Sequence, residues 1–348
     1  MKKIFLALLL VPVLFLTGCG KVNEKTIKDN FIKNANDLKS YYIEGELSLT
    51  NNDDTYNYDV KVSYKDEDFF KVELLNKANN YEQTIIRNKD GVYVVTPSLN
   101  KSFKFQSEWP YNNSQIYLLQ SLADDLKMDS KAEFQQKDKN YVFTTKVNYP
   151  NNPNYIKQDI TIDKDNNLKK VEVKDQNDIT YIIFTVKNLD KKPTFDTNHF
   201  NLDKISEGIE NNDTPKQEQN NSEEENTTET PTMTIDDPIF PLYLPTNTTL
   251  SNREVIDTAN GQRVIMTFGG DNPFILVQET VSKEKQLEII PTYGEPFMLI
   301  DTVGSLTDIS YTWTSNGIEY YIVSDVMNKK DLLEVAKSLN VVATINQK

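Results

Sequence analysis

The chain of 348 residues contains a single cysteine and a single histidine. One cysteine excludes an internal disulfide and a zinc site built from several thiolates. One histidine, His199, would have to serve any Ser-His-Asp triad alone. It lies just before a polar stretch, and we interpret it as a surface or packing residue. The 52 acidic residues offer many chance pairs, none of which stands out. The sequence therefore predicts no catalytic, cofactor or metal site.

Long apolar runs and a basic surface are also missing. Beyond the first 18 residues no run approaches the ~20 apolar residues that a membrane-spanning helix needs. The 38 lysines and arginines stand against 52 acidic residues, which gives a formal charge of −14. Nucleic acids and anionic lipid surfaces repel such a chain. We therefore expect no nucleic-acid partner and no membrane binding through a basic patch.

One apolar run does stand at the front of the chain. Lys2 and Lys3 precede Ile4–Leu16, whose length suits a signal peptide and is too short to cross a bilayer. Leu16-Thr17-Gly18-Cys19 follows and resembles the lipobox of bacterial lipoproteins. In that family the chain is cut before the cysteine, and the thiol carries a diacylglycerol. The resemblance implies a signal peptide over 1–18 and a lipid anchor on Cys19, at the extracytoplasmic face of the cell membrane. The alternative is an ordinary secretory signal that happens to contain a cysteine.

Residues 19–205 predict an α+β domain with two helices and ten or eleven antiparallel strands. Val22–Ser40 and Asn113–Met128 place apolar residues three and four positions apart, as amphipathic helices do. Segments such as Thr55–Lys65 alternate apolar and polar residues, as half-buried strands do.

Such a sheet has more apolar face than two helices can cover. We therefore expect it to curl around a cavity or to present a patch to a partner. The second helix supplies the candidate cavity-lining residues Ile116, Leu119 and Leu122.

The composition changes abruptly over residues 206–237. From Glu207 to Asp237 there are ten acidic residues, one lysine and no aromatic. This stretch cannot bury enough apolar surface to offset its chain entropy, which predicts a disordered acidic linker. Residues 238–348 then predict a small α+β domain with an antiparallel sheet, including Gln286–Ile290 and Phe297–Asp301, and a closing helix, Asn328–Asn340. The linker indicates that this second domain is held further out and moves freely.

The order helix, strands, helix, strands over residues 22–205 resembles the LolA/LolB-like lipoprotein-carrier fold. Leu38-Lys39-Ser40-Tyr41, the helix Ile116–Leu126, the hairpin 158–173 and a Phe195…Phe200 tail carry the resemblance. Within that superfamily the chain looks most like anchored lipoproteins of Gram-positive spore formers, including sporulation lipoproteins and germination lipoproteins of the GerS type. The second domain is similar to a small domain of unknown function often found after this module.

This resemblance implies a curled antiparallel half-barrel whose concave face can hold an acyl chain. It also implies a protein partner at the cell envelope, such as a cell-wall amidase. Three functions remain open. The first is a non-catalytic, membrane-anchored binding module for an envelope, sporulation or germination partner or an apolar ligand. The second is a lipid or lipoprotein carrier, although an anchored protein cannot diffuse as a shuttle must. The third is a cell-wall hydrolase without a recognisable motif.

Overall fold

A computed structural model describes residues 23–51, 54–150, 152, 154–202, 234–235, 237–259, 261–284, 286–299 and 301–345. The predicted signal peptide, Cys19 and nearly all of the predicted linker lie outside these ranges. We call residues 23–202 the first unit and residues 234–345 the second unit.

The first unit begins with helix α1, Glu24–Asp37, and its N-cap Asn23 accepts a hydrogen bond from the backbone N–H of Thr26 at 3.2 Å. Six strands follow: β1 Ser40–Asn51, β2 Asp54–Lys65, β3 Phe69–Asn76, β4 Glu82–Asn88, β5 Gly91–Thr96 and β6 Lys101–Phe105. Helix α2, Leu119–Met128, comes next. The remaining strands are β7 Glu133–Lys137, β8 Asn140–Lys146, β9 Lys157–Ile162, β10 Leu168–Lys174 and β11 Thr180–Asp190.

These strands pair antiparallel in the order β6-β5-β4-β3-β2-β1-β11-β10-β9-β8-β7. The first and last strands of this order do not pair with each other, so the sheet stays an open half-barrel. Its strands alternate buried and half-buried residues, as period two requires. The buried side chains meet Phe31 and Ala35 of α1 and Leu122 and Leu126 of α2 in one core. The predicted half-barrel is thus confirmed.

The second unit contains a seven-stranded antiparallel sheet and one helix in its described residues. Its elements are β12 Thr248–Thr258, β13 Gly261–Gly270, β14 Phe274–Thr280, β15 Glu288–Thr292, β16 Glu295–Met298, β17 Val303–Leu306, β18 Ser310–Ser315, β19 Ile318–Val323 and α3 Lys329–Ile345. All but β15 form this sheet, in the order β12-β13-β14-β19-β18-β17-β16. Asn328 Oδ1 accepts from the backbone N–H of Asp331 at 3.0 Å and so caps the N-terminus of α3.

Strand β15 belongs to the second unit in sequence but joins the sheet of the first. It pairs in parallel with β6, from Glu288 beside Lys101 to Thr292 beside Phe105. The sequence instead predicts this segment in the second sheet and a freely moving second domain, and both expectations are wrong. Without β15, β6 would expose a row of unpaired backbone N–H and C=O groups, and the parallel strand satisfies them.

The second helix is shorter than the predicted Asn113–Met128. The backbone N–H of Ser114 donates to Asn148 O at 2.9 Å, and that of Gln115 donates to Ser121 Oγ at 2.7 Å. The N–H groups of Ser114 and Gln115 thus make hydrogen bonds that are not those of a helix. Ile116 therefore lies in a loop before α2. The predicted strand Phe297–Asp301 is also wrong, because two short strands, β16 and β17, flank a turn there.

Candidate functional site

A cavity of about 220 Å³, which we call cavity A, lies between the concave face of the first sheet and the second unit. The first unit contributes side chains from β1, β4, β11 and the loops before α2 and before β9. The second unit closes the cavity with residues 296–299 and with α3. The apolar part of the lining includes Leu47, Ile85, Trp109, Ile116, Tyr117, Tyr155, Ile182, Phe297 and Met298.

The three candidate lining residues take different places. Ile116 lines cavity A. Leu119 and Leu122 are outside this lining and lie in the core of the first unit, where they are 3% and 0% exposed. Since α2 begins only at Leu119, its apolar stripe packs on the sheet and on α1, while the loop before it faces the cavity.

Cavity A has a polar rim. Glu334 and Lys337 lie almost one turn apart on α3 and form an ion pair at 3.2 Å. Asn113, Gln115 and Asn152 add side-chain amides to the lining. An apolar interior with a few polar groups at its edge suits a ligand with an apolar body and a polar end.

The loop before α2 is held in place from two sides. Arg87 Nη1 donates to Trp109 O at 2.8 Å, and its guanidinium lies 5.3 Å from the ring centroid of Tyr111. On the other side, Asp125 of α2 bonds Ser114 and accepts from Gln158 Nε2 at 2.8 Å. Burial raises the pKa of Asp125 to about 6. Asp125 is only partly exposed to solvent.

A second cavity, cavity B, has a volume of about 460 Å³. It lies between β5, β6 and β15 on one side and β17, β18 and β19 on the other. The docking of β15 onto β6 therefore creates a cleft with walls from both units. The chain has only two tryptophans, and each marks one cavity: Trp109 lines cavity A and Trp313 lines cavity B.

His199 has the packing role that the sequence predicts. Its Nε2 lies 2.9 Å from Ser63 Oγ, and its ring stacks on Phe195 with centroids 4.5 Å apart. Burial and the nearby Lys71 ammonium lower the pKa of His199 below its ordinary value. In the described ranges no three side chains among His, Cys, Asp and Glu are grouped to hold a metal ion. None of the helices described is long and apolar enough to cross a membrane.

No protein-family model matches the chain. Among curated proteins it is similar to the sporulation protein YdcC of Bacillus subtilis, with 36% identity over 343 residues and 97% of each chain covered. This relative confirms the predicted kinship with sporulation proteins.

Three solved structures are similar at low TM-scores. The MucA/MucB complex of Pseudomonas aeruginosa matches at 12% identity and a TM-score of 0.32, covering 90% of this chain and 98% of that one. The complex of the CwlD amidase with the GerS lipoprotein from Clostridioides difficile matches at 17% identity and a TM-score of 0.27, covering 51% of this chain and 96% of that one. A LolA superfamily protein of Nitrosomonas europaea matches at 11% identity and a TM-score of 0.28, covering 53% of this chain and 99% of that one.

Proposed function

The chain belongs to the family of the sporulation protein YdcC, and we propose that it is a membrane-anchored, extracytoplasmic binding protein of the sporulating cell. In this proposal it has no catalytic activity and holds an apolar, acyl-type ligand in cavity A. The observation that carries the proposal is the cavity itself. Its aliphatic and aromatic interior ends at a rim with the Glu334–Lys337 ion pair, so in this proposal part of a fatty-acyl chain enters the cavity and its polar end meets the rim.

The anchor on Cys19 is the first part to test. Cys19→Ser removes the thiol that would carry the lipid, while Gly18→Ala keeps a small residue before it and serves as the control. We expect labelled palmitate to enter the wild type and Gly18→Ala and to be absent from Cys19→Ser, which leaves the membrane fraction. Equal labelling of all three chains would disprove lipidation at Cys19.

Ligand binding is tested through the tryptophan of cavity A. In the variant Trp313→Phe only Trp109 emits, so we expect titration with palmitate to change its emission saturably. Ile116→Phe fills part of the cavity and should weaken binding at least tenfold. Leu250→Phe, at a residue 40% exposed on β12, is the matched control. The proposal fails if palmitate leaves Trp109 emission unchanged, or if Ile116→Phe binds as tightly as the control.

A partner protein is the second candidate, and an exposed apolar segment favours it. Phe240, Leu242 and Tyr243 are 42%, 63% and 41% exposed, although they are close in sequence and apolar. Contiguous apolar surface of this kind is typical of interaction sites. The sequence resemblance implies an envelope protein such as a cell-wall amidase as the partner.

The two candidates can be separated by one pair of variants. The double variant Leu242→Asp, Tyr243→Asp should lose the crosslinked partner in sporulating cells and still bind palmitate in cavity A. Gln136→Asp, on the exposed face of β7, should keep both properties. If the double variant and the control give the same crosslinked products, this segment is not a partner site.

A further inference from the structure

In the described part of the chain the two sheets end in the edge strands β15, β7, β12 and β16, and three of these are protected against pairing with another chain. Strand β15 contains Pro291 and β16 contains Pro296, and proline has no backbone N–H to donate. Strand β7 is only five residues long and ends in the exposed Lys137. Short length, proline and lysine at an edge all disfavour the addition of a further strand.

Strand β12 lacks this protection. It is 11 residues long, contains neither proline nor lysine, and pairs only with β13 in the described sheets. A β-bulge after Leu250 is followed by a regular ladder over residues 252–258. Val255 and Ile256, on opposite faces of this stretch, are 50% and 41% exposed. A long strand with apolar side chains and one unpaired edge is a template on which another strand can add.

Two opposite charges of β12 lack an ionic partner. Arg253 and Asp257 lie on the same face as Val255, because side chains alternate between the two faces of a strand. They are four residues apart, about 13 Å along a strand, which is too far for them to pair with each other. Within the described ranges neither belongs to an ion pair, and Asp257 Oδ1 accepts from Gln262 Nε2 at 3.4 Å. A strand added at this edge with the opposite order of charges would pair with both.

We propose that β12 is a dimerisation site, at which it pairs antiparallel with β12 of a second copy of this chain about a two-fold axis at Val255. This register places Arg253 of each copy opposite Asp257 of the other, and the two Val255 side chains opposite each other. An axis one residue earlier opposes two copies of Glu254, and parallel pairing in register opposes like charges. The seven-stranded sheets of the two copies then form one continuous sheet.

This contact extends the core of the second unit. Val255 lies opposite Val264 of β13, which is 0% exposed, so Val255 stands at the margin of the core. In the dimer the other copy covers its open side. One pair of strands buries less than the roughly 1,200 Å² of a stable interface, so we expect a dissociation constant in the micromolar range. The contact requires neither a ligand in cavity A nor the lipid anchor.

Sedimentation velocity measures the association. The parent is the mature chain, residues 19–348, with Cys19→Ser, in 150 mM NaCl, which screens the net charge of the two copies. We expect a reversible equilibrium of monomer and dimer between 1 and 200 µM. Val255→Lys places a charge on the axis and should weaken association at least tenfold. Val326→Lys is the matched control, because Val326 is 59% exposed and lies outside β12, and it should associate as the parent does.

A charge exchange tests the register. Arg253→Asp alone opposes two aspartates and Asp257→Arg alone opposes two arginines, so each should weaken association at least fivefold. The double exchange restores opposite charges and should associate as the parent does. On oxidation Val255→Cys should form a disulfide between copies, since opposite residues have Cα atoms about 4.5–5.5 Å apart, whereas Val326→Cys should form none.

The proposal is overturned if the parent is monomeric at 200 µM, or if Val255→Lys associates as tightly as Val326→Lys. It is also overturned if the double exchange does not restore the association that each single exchange weakens. A disulfide that Val255→Cys forms in cells with a different protein, and not with a second copy, would likewise overturn it.

Discussion

Gln83, on β4 of the first unit, holds the backbone of Val303, on β17 of the second unit, through two hydrogen bonds. Its Oε1 accepts from Val303 N at 2.6 Å, and its Nε2 donates to Val303 O at 3.1 Å. The same Oε1 accepts from the Thr302 hydroxyl at 3.1 Å, and Nε2 also donates to Thr96 Oγ1 at 3.3 Å. Gln83 is 5% exposed, so one buried amide joins segments 220 positions apart.

Removing this amide should loosen the second unit. Gln83→Met keeps the length of the side chain but leaves the N–H and C=O of Val303 unpaired in a buried place. We expect the free energy of unfolding to fall by about 2–6 kcal/mol, since each of the two unpaired groups costs about 1–3 kcal/mol. Hydrogen exchange at the Val303 amide should become faster. Gln136→Met, on exposed β7, is the control. Equal exchange at Val303 in both variants would contradict the stabilisation of this backbone by Gln83.

His199 should make the fold less stable in mild acid. Its pKa in the folded chain lies below the ordinary 6.5, mainly because of burial, with Lys71 adding to the effect and Glu73 and Asp196 opposing it. The folded state thus favours the neutral ring. The contribution of neutral His199 to the free energy of unfolding is complete above pH 6.5. It is lost as the pH falls through 6.5 towards the pKa of the folded state.

Urea unfolding at pH 7.5 and 5.5 tests this dependence. The loss of unfolding free energy between these values should be larger for the wild type than for His199→Gln, which cannot titrate. NMR titration of the imidazole is the direct measurement. A ring that titrates at or above 6.5 in the folded protein would show that the surroundings do not favour its neutral form.

Asp125 should act in the opposite direction. Its pKa of about 6 in the folded chain exceeds the ordinary 3.8, so the folded state favours the protonated carboxyl. The stability gained in acid is lost as the pH rises from about 4 through 6. Asp125→Asn keeps an oxygen that can accept from Gln158 and removes the charge. At pH 7.5 it should raise the free energy of unfolding by roughly 1–3 kcal/mol.

The comparison variant for Asp125 is Glu133→Gln, at an exposed position of β7. Unfolding curves at pH 4.5 and 7.5 should show a gain from Asp125→Asn that is largest at the higher pH. A gain that is equal at both values, or a loss at pH 7.5, would mean that the ionised carboxylate is not penalised.

Gly45 has no room for a side chain. It lies where the pairing of β1 with β11 shifts register, and a Cβ there would be 2.6 Å from the Phe184 ring and 2.7 Å from Thr185 O. Phe184 is fully buried and cannot move aside. Gly45→Ala should therefore cost about 1–3 kcal/mol, measured by urea unfolding. Gly269→Ala is the matched control because its nearest neighbour would be 3.6 Å away; equal midpoints would show that β11 adapts.

Strands with a strict alternation were predictable almost to the residue. The predicted Thr55–Lys65 is observed as Asp54–Lys65. Apolar and polar residues alternate along this strand and polar turns bound it, so its period and its end points follow from the local sequence.

The cavities could not be predicted in the same way. Trp109 and Ile116 lie in a loop, where no periodicity tells which way a side chain points. Phe297 and Met298 reach cavity A because the second unit docks onto the first. This docking includes the pairing of β15 with β6, two strands that lie far apart in the sequence. Pairing between strands so far apart in sequence leaves no local signal. The acidic stretch before the second unit instead favours the expectation of a freely moving second domain.

The parallel pairing of β15 with β6 also sets an order of events during synthesis and folding of the chain. Residues 101–105 are synthesised long before residues 288–292. The first sheet is therefore incomplete until a strand that lies about 180 positions later in the chain has been made. Until then β6 is an open edge, the kind of surface on which unfinished chains aggregate. Contacts of this sequence separation also slow folding. The last step in completing the N-terminal half-barrel is thus carried by the C-terminal half of the chain, and a fragment ending at residue 202 lacks its edge strand.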